Sequence, residues 1–437
     1  MIREKRTSKY LTDEDACLYA GIDIGGGQVT CVVGAVDFDA RTINIMGGAQ
    51  TQTEGVLGGA IVDLTPATGA IKSVLKRAEG MAGNRAESAV VAIRGTYIEA
   101  AEGSGSAATD MHTKLVTQEV IENAKNNAQD IAMGKLTNDS EIFQMIVKDL
   151  ILDGKYRGGI GMKASNVEVD IYGFAAPIFR IEDIENVLAQ AEIDCAAIKY
   201  AYLAVSDVVI RSEEYDECLL IDYGASNIGI VVYSDKRLRF TQEIETGSEM
   251  MTVGISRYLK TSRDEARKIK EKYGAAIIGD NFENEKFEYL AADGVTMKES
   301  DRISICQDVI SVEIDKTLSA IESILLDHGF NVASMSGGII LTGGGSRLQY
   351  LKDAFERFFE GVPVRVATPN PMKVSGNKDI INNLSYTGAI GALYGMASVQ
   401  ASQQGVPSSP HKKPPTTGGG KISHWWEVIT KFLKDTL

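Results

Sequence analysis

Two short segments place an aspartate at the end of an apolar stretch and follow it with small residues. The first hairpin lies in residues 21–28, GIDIGGGQ, and the second hairpin in residues 220–227, LIDYGASN. Small residues let backbone N–H groups approach phosphate oxygens closely, and an aspartate can hold a metal ion beside them. The candidate cofactor-binding residues are Asp23, Gly25, Gly26, Gly27, Gln28, Asp222, Gly224, Ala225, Ser226 and Asn227.

A third glycine segment, residues 341–346 (LTGGGS), follows a short apolar stretch and precedes a predicted helix. A glycine run at a helix N-terminus can pack against a nucleoside and direct N–H groups at phosphate. Its candidate residues are Gly343, Gly344, Gly345 and Ser346. Each segment alone is compatible with an ordinary turn. Together, in this order, they favour a nucleotide held between two related halves of the chain.

The surrounding patterns predict a mixed α/β chain. Alternating apolar residues predict strand, turn and strand at both hairpins, over residues 18–36 and 218–233. Further strands are predicted at 43–46, 88–93, 142–152, 167–174 and 338–341. Helical periodicity predicts helices at 66–81, 116–132, 181–190, 249–259, 262–273 and 309–328, with Thr65 and Thr117 at the first two starts. Residues 103–114 are small and polar, which predicts a loop.

The end of the chain has a different composition. Residues 399–421 are rich in Ser, Pro, Gly and Gln, which predicts a disordered linker. Residues 422–437 are amphipathic and contain both tryptophans of the chain, and indole favours the lipid headgroup region. The pattern is typical of a helix lying in a membrane interface; a helix that docks on its own domain or on a partner is the alternative. The predicted membrane-binding residues are Ile422, Trp425, Trp426, Ile429, Phe432, Leu433 and Leu437.

Charge and cysteine content limit the class of protein. The net charge of −14 argues against nucleic-acid binding and against contact between the body and anionic lipid, so membrane contact is expected only through the tail. The five cysteines form no CxxC pair, and with four histidines no zinc spacing exists. Residues 1–15 lack an apolar signal sequence, and no apolar stretch of about 18 residues exists. We expect a cytoplasmic protein.

The two hairpins and the third glycine segment resemble the two phosphate motifs and the adenosine motif of the superfamily of actin, heat-shock chaperones and sugar kinases. Six further segments are similar to the FtsA family of bacterial cell-division proteins: residues 55–78, 92–100, 116–124, 167–174, 261–274 and 383–395. The resemblance implies an actin-like two-domain ATPase fold with an FtsA-type inserted subdomain and a C-terminal amphipathic helix. It implies ATP and Mg²⁺ as cofactors, with Asp23 and Asp222 beside the metal.

The same resemblance implies a division of the chain. A polar tail (1–17) precedes a first core domain formed by 18–87 and 169–212, interrupted by the inserted subdomain at 88–168. A second core domain is expected from 213–245 and 315–398, interrupted by a nucleotide- and partner-binding subdomain at 246–314. The linker (399–421) and the amphipathic helix (422–437) follow.

Several positions depart from the family pattern. The family carries hydroxyl residues and a lysine after the first glycine, where this chain has Gly26, Gly27 and Gln28. A later aspartate is missing from the second hairpin. On the helix that supplies a Glu and a Lys to the nucleoside, Arg267 stands at the Glu position and Lys270 matches. With fewer charged groups to stabilise a transferring phosphate, we expect slow ATP hydrolysis or none.

The function implied by the resemblance is a scaffold that polymerises on the cytoplasmic face of the cell membrane at the division site. It would bind the C-terminal peptide of FtsZ, the tubulin-like division protein, and recruit later division proteins. A PilM-type pilus-assembly adaptor and a small-molecule kinase or ATPase of the same superfamily are the alternatives.

Overall fold

The computed structural model describes residues 17–279 and 282–401. Its strands, in chain order, are β1 (Leu18–Ile24), β2 (Gln28–Asp37), β3 (Thr42–Gln52), β4 (Val56–Leu57), β5 (Ala60–Ile61), β6 (Ala86–Ile93), β7 (Glu99–Ala108), β8 (Ser140–Leu152), β9 (Tyr156–Arg157), β10 (Asn166–Pro177), β11 (Asp194–Tyr200), β12 (Glu217–Tyr223), β13 (Ile228–Ser234), β14 (Arg237–Ile244), β15 (Lys286–Leu290), β16 (Met297–Asp301), β17 (Ile339–Thr342), β18 (Val364–Val366) and β19 (Val374–Gly376). The predicted linker beyond residue 401 and the predicted helix at 422–437 lie outside the described residues.

The helices of this part of the chain are α1 (Leu64–Ala82), α2 (Gln118–Met133), α3 (Ile178–Gln190), α4 (Ala201–Val209), α5 (Ser248–Leu259), α6 (Arg263–Tyr273), α7 (Arg302–Ile305), α8 (Ser311–Asp327), α9 (Leu351–Phe358), α10 (Lys378–Ile381) and α11 (Thr387–Ala401). A π-helical turn at Cys306–Ile310 joins α7 to α8. Helix α1 begins two residues earlier than predicted, because Asp63, and not Thr65, accepts the N-terminal hydrogen bond. Among the described helices, none is both long and apolar enough to cross a membrane.

The first half of the core is a six-stranded sheet in the order β11-β6-β1-β2-β3-β19. Strand β1 pairs antiparallel with β2 across the first hairpin and parallel with β6 on its other side. Every residue of β1 is buried, which explains why its sequence is apolar up to Asp23. The sheet therefore brings the first hairpin and the end of β6 to one edge.

The second half repeats this arrangement in a five-stranded sheet, in the order β14-β13-β12-β17-β18. Strand β12 pairs antiparallel with β13 across the second hairpin and parallel with β17, which leads into the third glycine segment. The buried residues Leu220, Val231 and Ile340 of this sheet belong to the same hydrophobic core as the first sheet. The opposite face of the second sheet, with Leu219 and Ile221, belongs to a second hydrophobic core. The two halves are thus related in topology, and one face of the second sheet packs into the core of the first.

A separate four-stranded sheet, β7-β10-β8-β9, is inserted in the chain between β6 and β11 of the first sheet and carries α2 on one face. The predicted loop at 103–114 is wrong at its start, since β7 extends to Ala108. The small residues have a packing role: a Cβ at Gly103 or Gly105 would overlap the backbone of Ala128 on α2. The small residues of β7 therefore allow α2 to pack closely, although the same composition is typical of a loop.

Two predicted domain boundaries are corrected by strand pairing. Strand β6, assigned to the insertion at 88–168, lies in the first sheet, so the separate sheet starts only at Glu99. The segment 315–398 was assigned whole to the second half, but β19 pairs with β3, and α11 packs on β1 and α4 of the first. Helix α11 also continues to Ala401, three residues into the predicted linker.

Candidate nucleotide site

The two hairpins have the same backbone turn. In the first, the N–H of Gly25 donates to the carbonyl oxygen of Gln28 at 2.9 Å; in the second, Gly224 donates to Asn227 at 3.1 Å. Each turn follows a buried strand whose second-last residue is an aspartate. The duplication predicted from the sequence is therefore present in the hydrogen bonding of the turns.

The third glycine segment packs around the second aspartate. Asp222 is paired in register with Thr342, the last residue of β17. Gly343 follows Thr342 directly and therefore lies beside Asp222. Gly343 has a φ of 86°, and a Cβ there would overlap Oδ1 of Asp222. A Cβ at Gly345 would lie 2.6 Å from the ring of Tyr223. Both positions require glycine because the two chain segments lie in direct contact.

The structure adds Arg94 to the residues predicted from the sequence. Its Nη2 lies 2.8 Å from both carboxylate oxygens of Asp23, and its Nη1 lies 3.2 Å from Oδ2 of Asp222. The side chains of the three residues are 7%, 10% and 5% exposed, respectively. We call these residues the Arg94 triad. It joins an aspartate of each half of the core through one guanidinium.

Burial and charge act against each other in this triad. Burial alone would lower the pKa of Arg94, but Asp23 and Asp222 outweigh it and raise the pKa well above its ordinary value. Burial also raises the pKa of Asp222, and the neighbouring Arg94 offsets this only in part. The guanidinium therefore stays charged at all accessible pH values. The buried carboxylate of Asp222 is stable in its charged form only while Arg94 stays beside it.

A sequence signal for Arg94 existed in the strand that precedes it. Strand β6 ends AVVAI, and a charged residue directly after a buried apolar strand is placed at the sheet edge. Its parallel register sets Ala92 beside Asp23 and Ile93 beside Ile24, so Arg94 must lie near the first hairpin. That register could not be read from the sequence, because β1 and β6 are separated by most of an α/β unit.

Further polar contacts close the two halves against each other. Ser226 donates its hydroxyl to the carbonyl oxygen of Gly26 at 2.6 Å, and a Cβ at Gly26 would lie 2.7 Å from that of Ser226. Glu243 on β14 accepts from the N–H of Gly95 at 2.9 Å and from the side-chain amide of Asn227. The tips of both hairpins are therefore in direct contact.

The two cationic candidates on α6 reach the second hairpin through α5. The ammonium of Lys270 donates to the carbonyl oxygen of Ser248 at 2.9 Å, and burial lowers its pKa. Arg267 pairs with Glu249 at 3.3 Å and with Asp264 at 3.1 Å. The N–H groups of Ser248 and Glu249 in turn donate to carbonyl oxygens of the second hairpin. The geometry brings neither cation into contact with the Arg94 triad.

An open depression of about 390 Å³ lies next to the third glycine segment. Its lining residues are Arg347, Lys378, Asp379, Asn382, Asn383 and Leu384. None of the residues predicted from the sequence lines it, although Arg347 follows directly after Ser346. Two cationic side chains, Arg347 and Lys378, make it suited to a polar or anionic group.

The predicted Mg²⁺ position does not fit this arrangement of side chains. Mg²⁺ is bound through one or two carboxylates and keeps several waters at about 2.0–2.1 Å. Both predicted ligands, Asp23 and Asp222, are instead hydrogen-bonded to Arg94 in a nearly dry site. Over residues 17–279 and 282–401, no group of three or more His, Cys, Asp or Glu side chains could hold a metal ion.

The partly buried carboxylate of Glu243 gives a pH prediction. Burial raises its pKa above 4.5, and hydrogen bonds from Gly95 and Asn227 and the charge of Arg94 offset this only in part. A carboxylate with a raised pKa binds more protons in the folded state, so its contribution to stability is lost as pH rises through that pKa.

We expect the free energy of unfolding, measured in urea from pH 4 to 7, to fall more steeply for the wild type than for Glu243→Gln. The matched control is Glu245→Gln, an exposed partner of Thr96. Equal slopes for wild type and Glu243→Gln would contradict the prediction.

The comparisons with known proteins agree with this fold. A family model described as "Cell division protein FtsA" matches residues 219–391. The FtsA of Neisseria meningitidis is 26% identical over 384 residues, which cover 87% of this chain and 90% of the relative. Among solved structures, a PilM–PilN type IV pilus biogenesis complex aligns with a TM-score of 0.59 at 14% identity, covering 86% of this chain and 97% of that one. MreB5 of Spiroplasma citri, solved with ADP, aligns with a TM-score of 0.53 at 12% identity, covering 89% and 99%.

The duplicated hairpins on two related sheets and these structural neighbours show the fold of the chain, which is actin-like. Among proteins of this fold its sequence relatives are specific. The chain resembles the cell-division protein FtsA along most of its length.

Proposed function

We propose that this chain is an FtsA-type cell-division scaffold that binds a nucleotide between the two halves of its core and associates with the membrane through residues 422–437. The observation that carries the proposal is the pair of hairpins, whose aspartates Asp23 and Asp222 lie close together and both pair with Arg94. A sequence similarity to FtsA that extends over 87% of the chain supports it.

The nucleotide would be ATP, with its phosphates beside the two hairpins and its nucleoside near the third glycine segment. The N–H groups of Gly26, Gly27, Ala225 and Ser226 have no hydrogen-bond partner among the described residues, which suits them to phosphate oxygens. The MreB5 neighbour was solved with ADP, which supports a nucleotide in this fold. Because Gln28 and Asn227 are uncharged, hydrolysis is at most slow.

The proposed partners are those that the resemblance to FtsA implies. The chain would polymerise through its actin-like core, bind the C-terminal peptide of FtsZ and recruit later division proteins at the division site. It would lie on the cytoplasmic face of the membrane as a peripheral protein. Full burial of a large apolar side chain contributes about 1.5–3 kcal/mol, but burial in the interface is partial and ordering the helix costs entropy, so one helix binds reversibly. Several helices joined in one polymer would bind much more tightly through effective concentration.

The test is co-sedimentation with anionic liposomes, with and without ATP, of the full chain and of a chain ending at Gly420. We expect the full chain to pellet with the liposomes and the truncated chain to remain in the supernatant. A matched variant, Trp425→Ser with Phe432→Ser, keeps the length and the charge of the tail and should also fail to pellet. Greater pelleting with ATP would support polymerisation.

A PilM-type adaptor is the second candidate, because the PilM–PilN structure covers 86% of this chain. In that case residues 422–437 would dock on a protein. The same experiment separates the two candidates: if full and truncated chains both stay soluble, the membrane role fails and the adaptor becomes the better proposal.

A further inference from the structure

We propose that the guanidinium of Arg94 takes the position of the divalent cation between Asp23 and Asp222, so that this chain joins the halves of its core without Mg²⁺. The inference rests on the proposed nucleotide site, because it concerns the cation that would accompany the nucleotide there. It follows from three features of the Arg94 triad: its contacts, its packing and its place in the topology.

The contacts satisfy both carboxylates at once. Arg94 gives two hydrogen bonds of 2.8 Å to Asp23 and one of 3.2 Å to Asp222. A guanidinium is planar, carries a permanent charge and presents several donors in a fixed geometry, which suits it to joining two carboxylates. The neutralising and bridging roles of a metal ion are therefore already filled by a side chain of the protein.

The packing leaves no room for a hydrated ion beside this side chain. A Cβ at Gly388 would overlap Oδ2 of Asp23 and lie 3.0 Å from Nη2 of Arg94, and one at Gly343 would overlap Oδ1 of Asp222. The ring of Tyr202 lies over the guanidinium, with its centroid 5.3 Å from Cζ. Mg²⁺ keeps several waters when it binds a protein, and here backbone and an aromatic ring occupy the surrounding space.

The topology shows why only the first half carries this cation. The residue after β6 is Arg94, and the residue after the equivalent strand of the second half, β17, is Gly343. Gly343 lies against Asp222 and has no side chain that could bind it, whereas Arg94 pairs with Asp23 and also reaches Asp222. One long side chain from the first half therefore joins two otherwise similar sheet edges.

The first measurement uses the full chain without nucleotide and Mn²⁺ as the probe, with bound and free metal distinguished by electron paramagnetic resonance. We expect no Mn²⁺ site that depends on Asp23 in the wild type. Arg94→Ser, which frees two facing carboxylates, should gain one site, and adding Asp222→Asn to it should remove that site. The control Arg365→Ser also removes an arginine paired with a carboxylate, Glu214, at 2.6 Å, and should gain nothing. A wild-type Mn²⁺ site that Asp23→Asn abolishes would overturn the proposal.

The second measurement is the affinity of wild type for a fluorescent ATP analogue in Mg²⁺ and in EDTA. We expect the two dissociation constants to agree within about twofold, and a more than tenfold loss in EDTA would refute metal independence. If the analogue binds in neither buffer, nucleotide binding in the proposed function fails, while the Mn²⁺ result still decides the role of Arg94. Both wild-type measurements remain decisive if Arg94→Ser does not fold.

Discussion

Replacing Arg94 by methionine is expected to lower the free energy of unfolding by about 3–5 kcal/mol, because it leaves two carboxylates buried without their partner. Asp23 and Asp222 are 10% and 5% exposed at the side chain, so water cannot replace the guanidinium unless the two halves separate. Urea unfolding of the two proteins at pH 7, followed by circular dichroism, measures the difference.

The triple variant Arg94→Met, Asp23→Asn and Asp222→Asn separates lost attraction from unpaired charge. Removing all three charges eliminates the buried anions, so most of the lost stability should return. The control Arg365→Met breaks a pair whose arginine is 25% exposed, and should cost less than Arg94→Met. A loss below about 1 kcal/mol in Arg94→Met would show that the buried charges are not what holds the two halves together.

The second large effect is expected at Gly21, in the middle of β1. An added Cβ would overlap the carbonyl oxygen of Ala389 and lie 2.5 Å from the backbone nitrogen of Leu393, both on α11. Overpacking of a core costs about 1–3 kcal/mol and more when backbone must move, since no side chain can rotate away. We expect Gly21→Ala to reach or exceed the upper end of that range, measured by thermal and urea unfolding.

The matched substitution is Gly69→Ala on the exposed face of α1. An added Cβ there meets no atom within 4 Å, and the residue lies inside a helix. Alanine in a helix interior is more stable than glycine by about 0.5–1 kcal/mol, so this variant should gain stability. If both glycine variants shifted stability in the same direction, close contact between β1 and α11 would not explain the requirement for Gly21.

Much of the secondary structure could be predicted because the residues that specify each element lie close together in the sequence. The strand–turn–strand units at both hairpins depend on alternating apolar residues and small turn residues within about twenty positions. Helix α2 begins where predicted because Thr117 caps it by accepting from the N–H of Val120. Such signals lie within a few residues of the feature they specify, and the similarity to FtsA was carried by segments of the same kind.

Contacts between distant segments could not be predicted in this way. The second part of β7, residues 103–108, has the composition of a loop, and its small residues are explained only by α2 lying against them. Strand β19 was assigned to the wrong half because it joins β3 after more than 300 intervening residues. No local pattern records a partner at that separation, since the pairing energy depends on chain geometry elsewhere.

The sequence by itself determined the two aspartates, the three glycine-containing segments and their order, because these depend on short-range spacing. The tertiary structure alone decided what lies between the aspartates. Parallel pairing of β6 with β1 carries Arg94 to Asp23, and the approach of the two sheets brings Asp222 to the same guanidinium. The position expected for a metal ion is thereby occupied by a side chain 71 residues from one aspartate and 128 from the other, a meeting that only the folded chain produces.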